Sequence, residues 1–286
     1  MLKTGIMLLS YGYDVSHPES MTVFKQAGFD SFFTGWNEKE HMKYHSEIAN
    51  AAAKNGMTYE SIHAPFGGIN CMWQEGEEGD AYRKRLRCCV EEAAACGVSY
   101  VTAHIMNVPQ YNKANPPIWS ELGVSRFADI VLYAAEKGIK VAFENVEFPQ
   151  YQLQKLIERL RELAPQGLGF CWDIGHEHCY PAGDISVPDR FGDLIIGTHI
   201  HDNYGQVNSE IVTWDDDIHI MPFDGTINYH KVGRKLKQIG YKGTITLEIG
   251  RMQRQWDILP WYQEYTIEEF AAEAYEKARR IAKLCE

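Results

Sequence analysis

The chain alternates short apolar runs of strand length with longer segments in which apolar residues recur every three or four positions. The short runs are TGIMLLS, FDSFFTG, TYESIHA, SYVTAHI, KVAFENV, LGFCWDI, LIIGTHI and TITLEIG. Several are apolar nearly throughout, as expected of parallel strands covered on both faces. Between them lie PESMTVFKQAG, HMKYHSEIANAAAKNG, AYRKRLRCCVEEAAACG, SRFADIVLYAAEKG, YQLQKLIERLREL and YHKVGRKLKQIG, whose spacing predicts helices. Gly28, Gly56, Gly97, Gly138 and Gly240 stand just before the next strand, where a helix C-terminus favours left-handed backbone. A last helix over Thr266 to Leu284 places Ile267, Phe270, Ala271, Ala274, Tyr275, Ala278, Ile281 and Ala282 on one face. The stretch HCYPAGDISVPDRFGD, with two prolines, predicts a broken or very short helix after the sixth strand.

Eight strands alternating with helices, with no low-complexity linker and no shift in composition, predict an α/β fold: a single (β/α)8 TIM barrel spanning 1–286. A chain of 286 residues is of normal size for that fold. Barrel active sites form at the C-terminal ends of the strands. The two long loops expected there, Ala64 to Asp80 and Asn203 to Thr226, both carry aromatic and acidic residues.

Most of the strand-like runs end in residues that bind metals or move protons. His63, His104, Glu144, Asp173, His199 and Glu248 close the third to eighth. Ionisable groups there are costly to desolvate unless paired or bound to metal, so their recurrence points to one shared site. Glu144, Asp173, His199 and Glu248 close four consecutive strands, which brings three carboxylates and an imidazole together. Without counter-charge those carboxylates repel, and a divalent cation is the simpler remedy than protonation. The donor set suits Mn²⁺, Zn²⁺, Mg²⁺ or Co²⁺. Taken singly, each residue also fits a loop cap or a surface ion pair; four at consecutive strand ends fit those roles poorly.

His63 and His104 extend the same arc and suit a second metal or substrate hydroxyls as well as a structural hydrogen bond. His176, three residues past Asp173, and the pair Asp217 and His219 in the long loop are expected in a polar wall around a substrate. Alternation along the seventh strand puts His201 on the face of His199, as a competitor for the ligand role. His17, His41, His45, His178 and His230 have no such placement and are expected at the surface. Trp36, Phe66, Trp73, Trp119, Trp214 and Phe223 fall in or near strand-end loops, and Trp36 and Phe66 are best placed to stack on a sugar.

Composition narrows the partners. A net charge of −11 disfavours nonspecific attraction to phosphate backbones or anionic lipid, which makes nucleic acid an unlikely partner. The dense basic run RKRLR, Arg83 to Arg87, reads as a solvated helix face. Seven cysteines without a CxxC pair argue for reduced, mostly buried thiols. With no secretory core at the N-terminus and no membrane-length apolar stretch, the expected compartment is the cytoplasm. A homo-oligomer is compatible with the sequence, which does not fix the state.

FENVE, WDIGH, HIHDN and the final LEIG, with HAPF upstream and D-x-H-x-x-x-F-D-G downstream, together resemble the sugar phosphate isomerase/epimerase superfamily with xylose-isomerase-like barrels. The resemblance spans about the whole chain. It implies one divalent metal held by Glu144, Asp173, His199 and Glu248, a substrate contact at His176, and a small-molecule sugar as substrate. By implication the enzyme is a carbohydrate isomerase or epimerase. In such an enzyme the metal would polarise a carbonyl, acidify the neighbouring C–H and stabilise the enediolate, with Glu144 and Glu248 acting as base and acid, one removing and one returning a proton. The superfamily also holds the endonuclease IV group, which cuts at abasic sites with three zinc ions. Its ligand types have counterparts in His63, His104, Glu144, Asp173, His176, His199, Asp217, His219 and Glu248. The wording around them differs, and Gly205 stands where ketose epimerases of the family usually carry Arg, and His201 where many isomerase-like members carry Lys. The alternatives are an abasic-site nuclease with three zinc ions and a noncatalytic sugar-binding barrel that keeps a metal.

Overall fold

The computed structural model describes residues 1–8, 18–38, 41–107, 110–112, 119–146, 150–180, 186–207, 211–213, 216–251, 262 and 264–286. His17 and Trp214 lie outside the described residues. Eight parallel strands, β1 (Thr4–Met7), β2 (Ser31–Gly35), β3 (Thr58–His63), β4 (Tyr100–Ala103), β6 (Lys140–Glu144), β7 (Leu168–Asp173), β8 (Ile195–His199) and β10 (Ile245–Leu247), form one sheet. Their order is β10-β1-β2-β3-β4-β6-β7-β8, and a parallel bridge between Ile200 and Leu247 joins the two ends. Closure is completed by Ile200 N–H donating to Thr246 O at 2.9 Å and Glu248 N–H donating to Ile200 O at 3.0 Å. The predicted (β/α)8 TIM barrel is the fold.

Near-complete burial of these strands follows from their covering: side chains of one parity fill the barrel and those of the other meet the helices. Outside stand α1 (Pro18–Ala27), α2 (His41–Asn55), α3 (Glu77–Ala95), α4 (Glu121–Glu136), α5 (Gln150–Leu163), the short α6 (Ile174–Cys179) and α7 (Val187–Phe191), α8 (Tyr229–Gln238) and α9 (Ile267–Leu284). Among the described residues of the proline-broken stretch, the short α6 ends at Cys179 and the short α7 covers Val187–Phe191. Thr266 caps α9 in a reciprocal box with Glu269, an arrangement contributing about 1 kcal/mol. The five helix-ending glycines all have positive φ, from 62° to 120°. At Gly28 a Cβ would also fall 2.3 Å from the Tyr275 ring of α9, so no larger residue fits there.

One feature of the loops escaped the sequence. The three-residue strands β5 (Gln110–Asn112) and β9 (Ile211–Thr213) pair antiparallel and tie the loop after β4 to the loop after β8. Three residues are too few for a periodic signal.

Two surface expectations change. His45, expected at the surface, is fully buried between α2 and the sheet, with its Nδ1 2.9 Å from the Tyr59 hydroxyl. Its burial lowers its pKa to about 4. The basic run on α3 is paired rather than simply solvated: Arg85 binds Glu38 at 2.5 Å, Arg87 binds Asp129 at 3.1 Å, and Arg83 lies 3.6 Å from Asp129. No disulfide forms among the cysteines; Cys89, Cys171 and Cys179 are buried, Cys71, Cys96 and Cys285 half-buried and Cys88 exposed. Among the described residues no helix is long and apolar enough to cross a membrane.

Candidate metal centre

Backbone register sets the site. β6 pairs Glu144 with Cys171 of β7, and β7 pairs Asp173 with His199 of β8, so inward-facing residues climb from strand to strand around the mouth. Ligating atoms of Glu144, Asp173, His199 and Glu248 lie within 4.8 Å of one another. His199 Nδ1 sits 2.9 Å from Glu144 Oε1 and 2.9 Å from Glu248 Oε2. Asp173 is divided between two tasks. Its Oδ1 accepts the His176 N–H at 2.6 Å and caps α6, while its Oδ2 is buried without a hydrogen bond.

Glu144 is the hub. It is fully buried, and besides His199 it meets His63 Nε2 at 3.2 Å and His104 Nε2 at 3.1 Å through Oε2. Burial pushes its pKa up, but the facing His199, His104 and His63 outweigh that and hold the carboxyl well below its usual range. Glu248 is likewise held down against burial, chiefly by His199, and keeps 13% side-chain exposure. His199 moves the other way: burial is offset by Cys171, Glu248 and Glu144, which raise its pKa well above that of a free imidazole.

Asp217 anchors a second group. His176 Nε2 is 3.0 Å and His219 Nε2 3.5 Å from Asp217 Oδ2. Burial notwithstanding, the two imidazoles hold Asp217 well below its normal pKa, and Asp217 lifts His219 to about 9. His201 joins this group and not that of His199, so the parity argument put both histidines inside but in different clusters.

The ring orientations carry chemical information. A carbonyl oxygen only accepts, so an imidazole nitrogen facing one carries the proton. His63 Nδ1 donates to Ala64 O at 2.8 Å, His176 Nδ1 to Asn145 O at 2.8 Å, and His219 Nδ1 to Glu248 O at 2.9 Å. In each, Nε2 then faces a carboxylate, a contact that needs either a second ring proton or a cation between nitrogen and oxygen. Carbonyl-fixed tautomers of this kind are the usual outer support of metal-bound histidines. Together with the orphaned, buried Asp173 Oδ2, they make the residues present fit a divalent ion.

Several supporting residues escaped the sequence. Phe33 lies flat on His199, with centroids 4.4 Å apart and planes 14° from parallel. Asn145 clamps β6 to β7: its amide donates to Asp173 O at 2.7 Å and accepts the Asp173 N–H at 2.9 Å. The signal for Phe33 was strand parity, since it sits two residues before Gly35 on the inward face.

Of the two aromatic candidates, Phe66 reaches the site, stacked on His104 with centroids 4.7 Å apart and edge-on to His63 at 5.7 Å. Trp36 does not join it: its parity is opposite to Phe33, and its indole N–H donates to Glu92 of α3 at 2.6 Å. Trp73 is buried in the core and donates to Ile105 O, Trp119 packs on Trp73, and Phe223 packs on Tyr229. His230 is exposed, as expected, whereas His178 is half-buried.

A sequence profile described as "Xylose isomerase-like TIM barrel" matches residues 22–281. An uncharacterized protein of Methanocaldococcus jannaschii is 26% identical over 284 residues, covering 89% of this chain and 88% of its own. Among solved structures, a D-tagatose 3-epimerase-like protein superposes with TM-score 0.74 at 21% identity, covering 99% of this chain and 98% of its own. D-Psicose 3-epimerase from Clostridium cellulolyticum H10, solved with D-tagatose, gives TM-score 0.72 at 12% identity with both chains fully covered. At such identities the structural likenesses establish the fold.

Proposed function

This chain belongs to the xylose isomerase-like TIM-barrel family, and from that premise we propose that it is a divalent-metal-dependent isomerase or epimerase of a sugar or sugar phosphate. The observation that carries the reading is the convergence of Glu144, Asp173, His199 and Glu248 at the barrel mouth, with their ligating atoms within 4.8 Å of one another. Those four residues would hold the ion. When bound, it supplies Lewis acidity toward the carbonyl of a hydroxyketone or hydroxyaldehyde. Epimerase activity in the solved D-psicose 3-epimerase fold-mate supports a sugar as the substrate class.

The chain's own residues handle the proton. In this reading Glu248, the more open of the two glutamates, takes the proton from the carbon next to the carbonyl; the C–H electrons form a C=C bond as the carbonyl π pair moves onto its oxygen, giving an enediolate. Glu144, across His199 and held ionised at rest, is the partner carboxylate: it takes the substrate hydroxyl's proton and delivers it to carbon, and the proton on Glu248 then passes to the substrate oxygen left ionised. Return to the same carbon from the opposite face epimerises; return to the former carbonyl carbon isomerises. Phe66 walls the site on the side of His63 and His104 and offers an apolar face to a sugar ring.

The test is a panel of ketoses and aldoses incubated in deuterated water with Mn²⁺, Co²⁺, Mg²⁺ or Zn²⁺. Metal-dependent deuterium incorporation at the carbon beside the carbonyl is expected; tight sugar binding with no exchange for any metal would overturn the reading in favour of a noncatalytic barrel. The grouping of His63 and His104 on Glu144 favours one other reading, an abasic-site nuclease with three zinc ions. It requires cleavage of abasic duplex DNA, a substrate the net charge of −11 disfavours.

A further inference from the structure

The long loop after β8 leaves the barrel at Asn203 and returns at Thr226, and one buried side chain joins its two feet. Asp202 is fully buried, and its carboxylate accepts three backbone N–H groups. Oδ1 takes those of Asn203 at 2.9 Å and Ile227 at 3.1 Å, and Oδ2 takes that of Phe223 at 2.9 Å. The returning turn is shaped around that carboxylate. Phe223 holds a left-handed φ of 72°, uncommon for a bulky residue, and a Cβ on Gly225 would fall 2.3 Å from Asp202 Oδ1. Asn203 adds a second tie: its carbonyl accepts the Thr226 N–H at 3.0 Å, and its amide donates to Gly175 O of α6 at 2.9 Å. The sequence words HIHDN and FDG meet here.

The backbone of Asp202 reaches toward the site. Its N–H donates to Ile220 O at 2.8 Å, and the Ile220 N–H donates to its carbonyl at 3.2 Å. Ile220 directly follows His219, whose Nδ1 donates to Glu248 O at 2.9 Å and whose Nε2 lies 3.5 Å from Asp217 Oδ2. One residue thus grips the loop twice, by its backbone beside His219 and by its carboxylate at the turn that follows. A carboxylate withdrawn from water is costly unless hydrogen-bonded, and an amide in its place carries an NH2 where one oxygen accepts.

We infer that Asp202 is a positioning residue, which fixes the returning limb of the loop and so seats His219 and Asp217 as a substrate-facing wall beside Glu248. Having no exposed surface, it acts through the residues it holds. Glu144 ends β6 and Glu248 directly follows β10, so the proton-transfer pair keeps its place when the limb is released. The consequence for turnover rests on the sugar reaction proposed above; the seating of His219 does not.

The test is Asp202→Asn in the full, Zn²⁺-loaded chain. Hydrogen exchange read by mass spectrometry is expected to quicken roughly tenfold over residues 223–227 while the strands stay protected. The His219 Nδ1–H signal in nitrogen-15 NMR, assigned by its absence in His219→Gln, is expected to shift or to be lost to exchange with water. For a sugar that the wild type turns over, KM should rise roughly tenfold with kcat within about twofold. Gly225→Ala is the second route, since it crowds Oδ1 without removing the charge, and the same results are expected of it. It decides the matter if circular dichroism shows that Asp202→Asn fails to fold. Faster exchange in the turn with the His219 signal and KM both unchanged would make Asp202 merely structural and overturn the inference. Unfolding of both variants would make it a requirement of the fold and overturn it equally. If the wild type turns over no sugar, the proposed reaction fails and the His219 signal alone decides.

Discussion

The two carboxylate–imidazole groups at the barrel mouth differ in what holds their members. Around Glu144 the residues sit at or just past strand ends, and the sheet's hydrogen bonds fix their spacing: Asp173 pairs with His199, Glu144 with Cys171, and Ile200 carries the bond that closes the barrel beside Glu248. Around Asp217, two of four members are borne on a loop. Among the described residues its strand-like ties near them are the Asp202–Ile220 bridge and the β5–β9 pair. The strand-borne group is therefore preset by the sheet, while the loop-borne one is held by its own contacts, His176 and His219 on Asp217.

The sharpest way to break this comparison is at the hub. Glu144→Gln is expected to lower turnover by roughly 10³-fold or more while the barrel's circular dichroism and cooperative unfolding persist. Retained turnover, or loss of the folded state, would place Glu144 among structural residues.

Stripping metal should separate the two regions next. The loop between Asn203 and Thr226 is expected to become roughly tenfold more susceptible to a protease, the factor that about 1.4 kcal/mol of lost local stability gives. The barrel strands should stay protected, which mass spectrometry of the fragments reads directly. Equal protection of the loop with and without metal would show that no ion orders it.

Away from both groups, His45 tests burial without a metal. Its folded pKa of about 4 lies below the unfolded value near 6.5, so only the unfolded chain takes up the proton between those values. The stability it confers is full above about pH 6.5 and is lost as pH falls toward 4, by at most about 3 kcal/mol. Urea titrations should show a shallower acid-side loss in His45→Gln than in the wild type; identical slopes would contradict the buried neutral ring. The smallest effect is expected at Thr266→Ala, which removes the α9 cap box for about 1 kcal/mol with no change in turnover.

The same contrast governs what could be read from sequence. The strand-borne candidates were legible because an apolar run ending in Glu, Asp or His marks both the element and its exit: FENVE, WDIGH and LEIG each give position and residue type together. Asp217 and His219 were visible only as residue types, since a loop has no period that fixes direction. His201 was placed on the inward face by parity, but parity cannot say which of two neighbouring clusters an inward residue joins. Trp36 and Phe33 show the cost of neglecting alternation: one points to α3 and the other lies on His199, three residues apart on opposite faces. His45 was misjudged because a lone polar residue on a helix carries no sign of the Tyr59 hydroxyl that meets it from β3.

Anomalous diffraction from crystals loaded with Mn²⁺ or Zn²⁺ tests the central claim most directly. The account predicts a peak bounded by Glu144, Asp173, His199 and Glu248, with His199 Nδ1 turned from its carboxylate partners to the ion. No peak there, with His199 still bridging Glu144 and Glu248 in metal-soaked crystals, would contradict it.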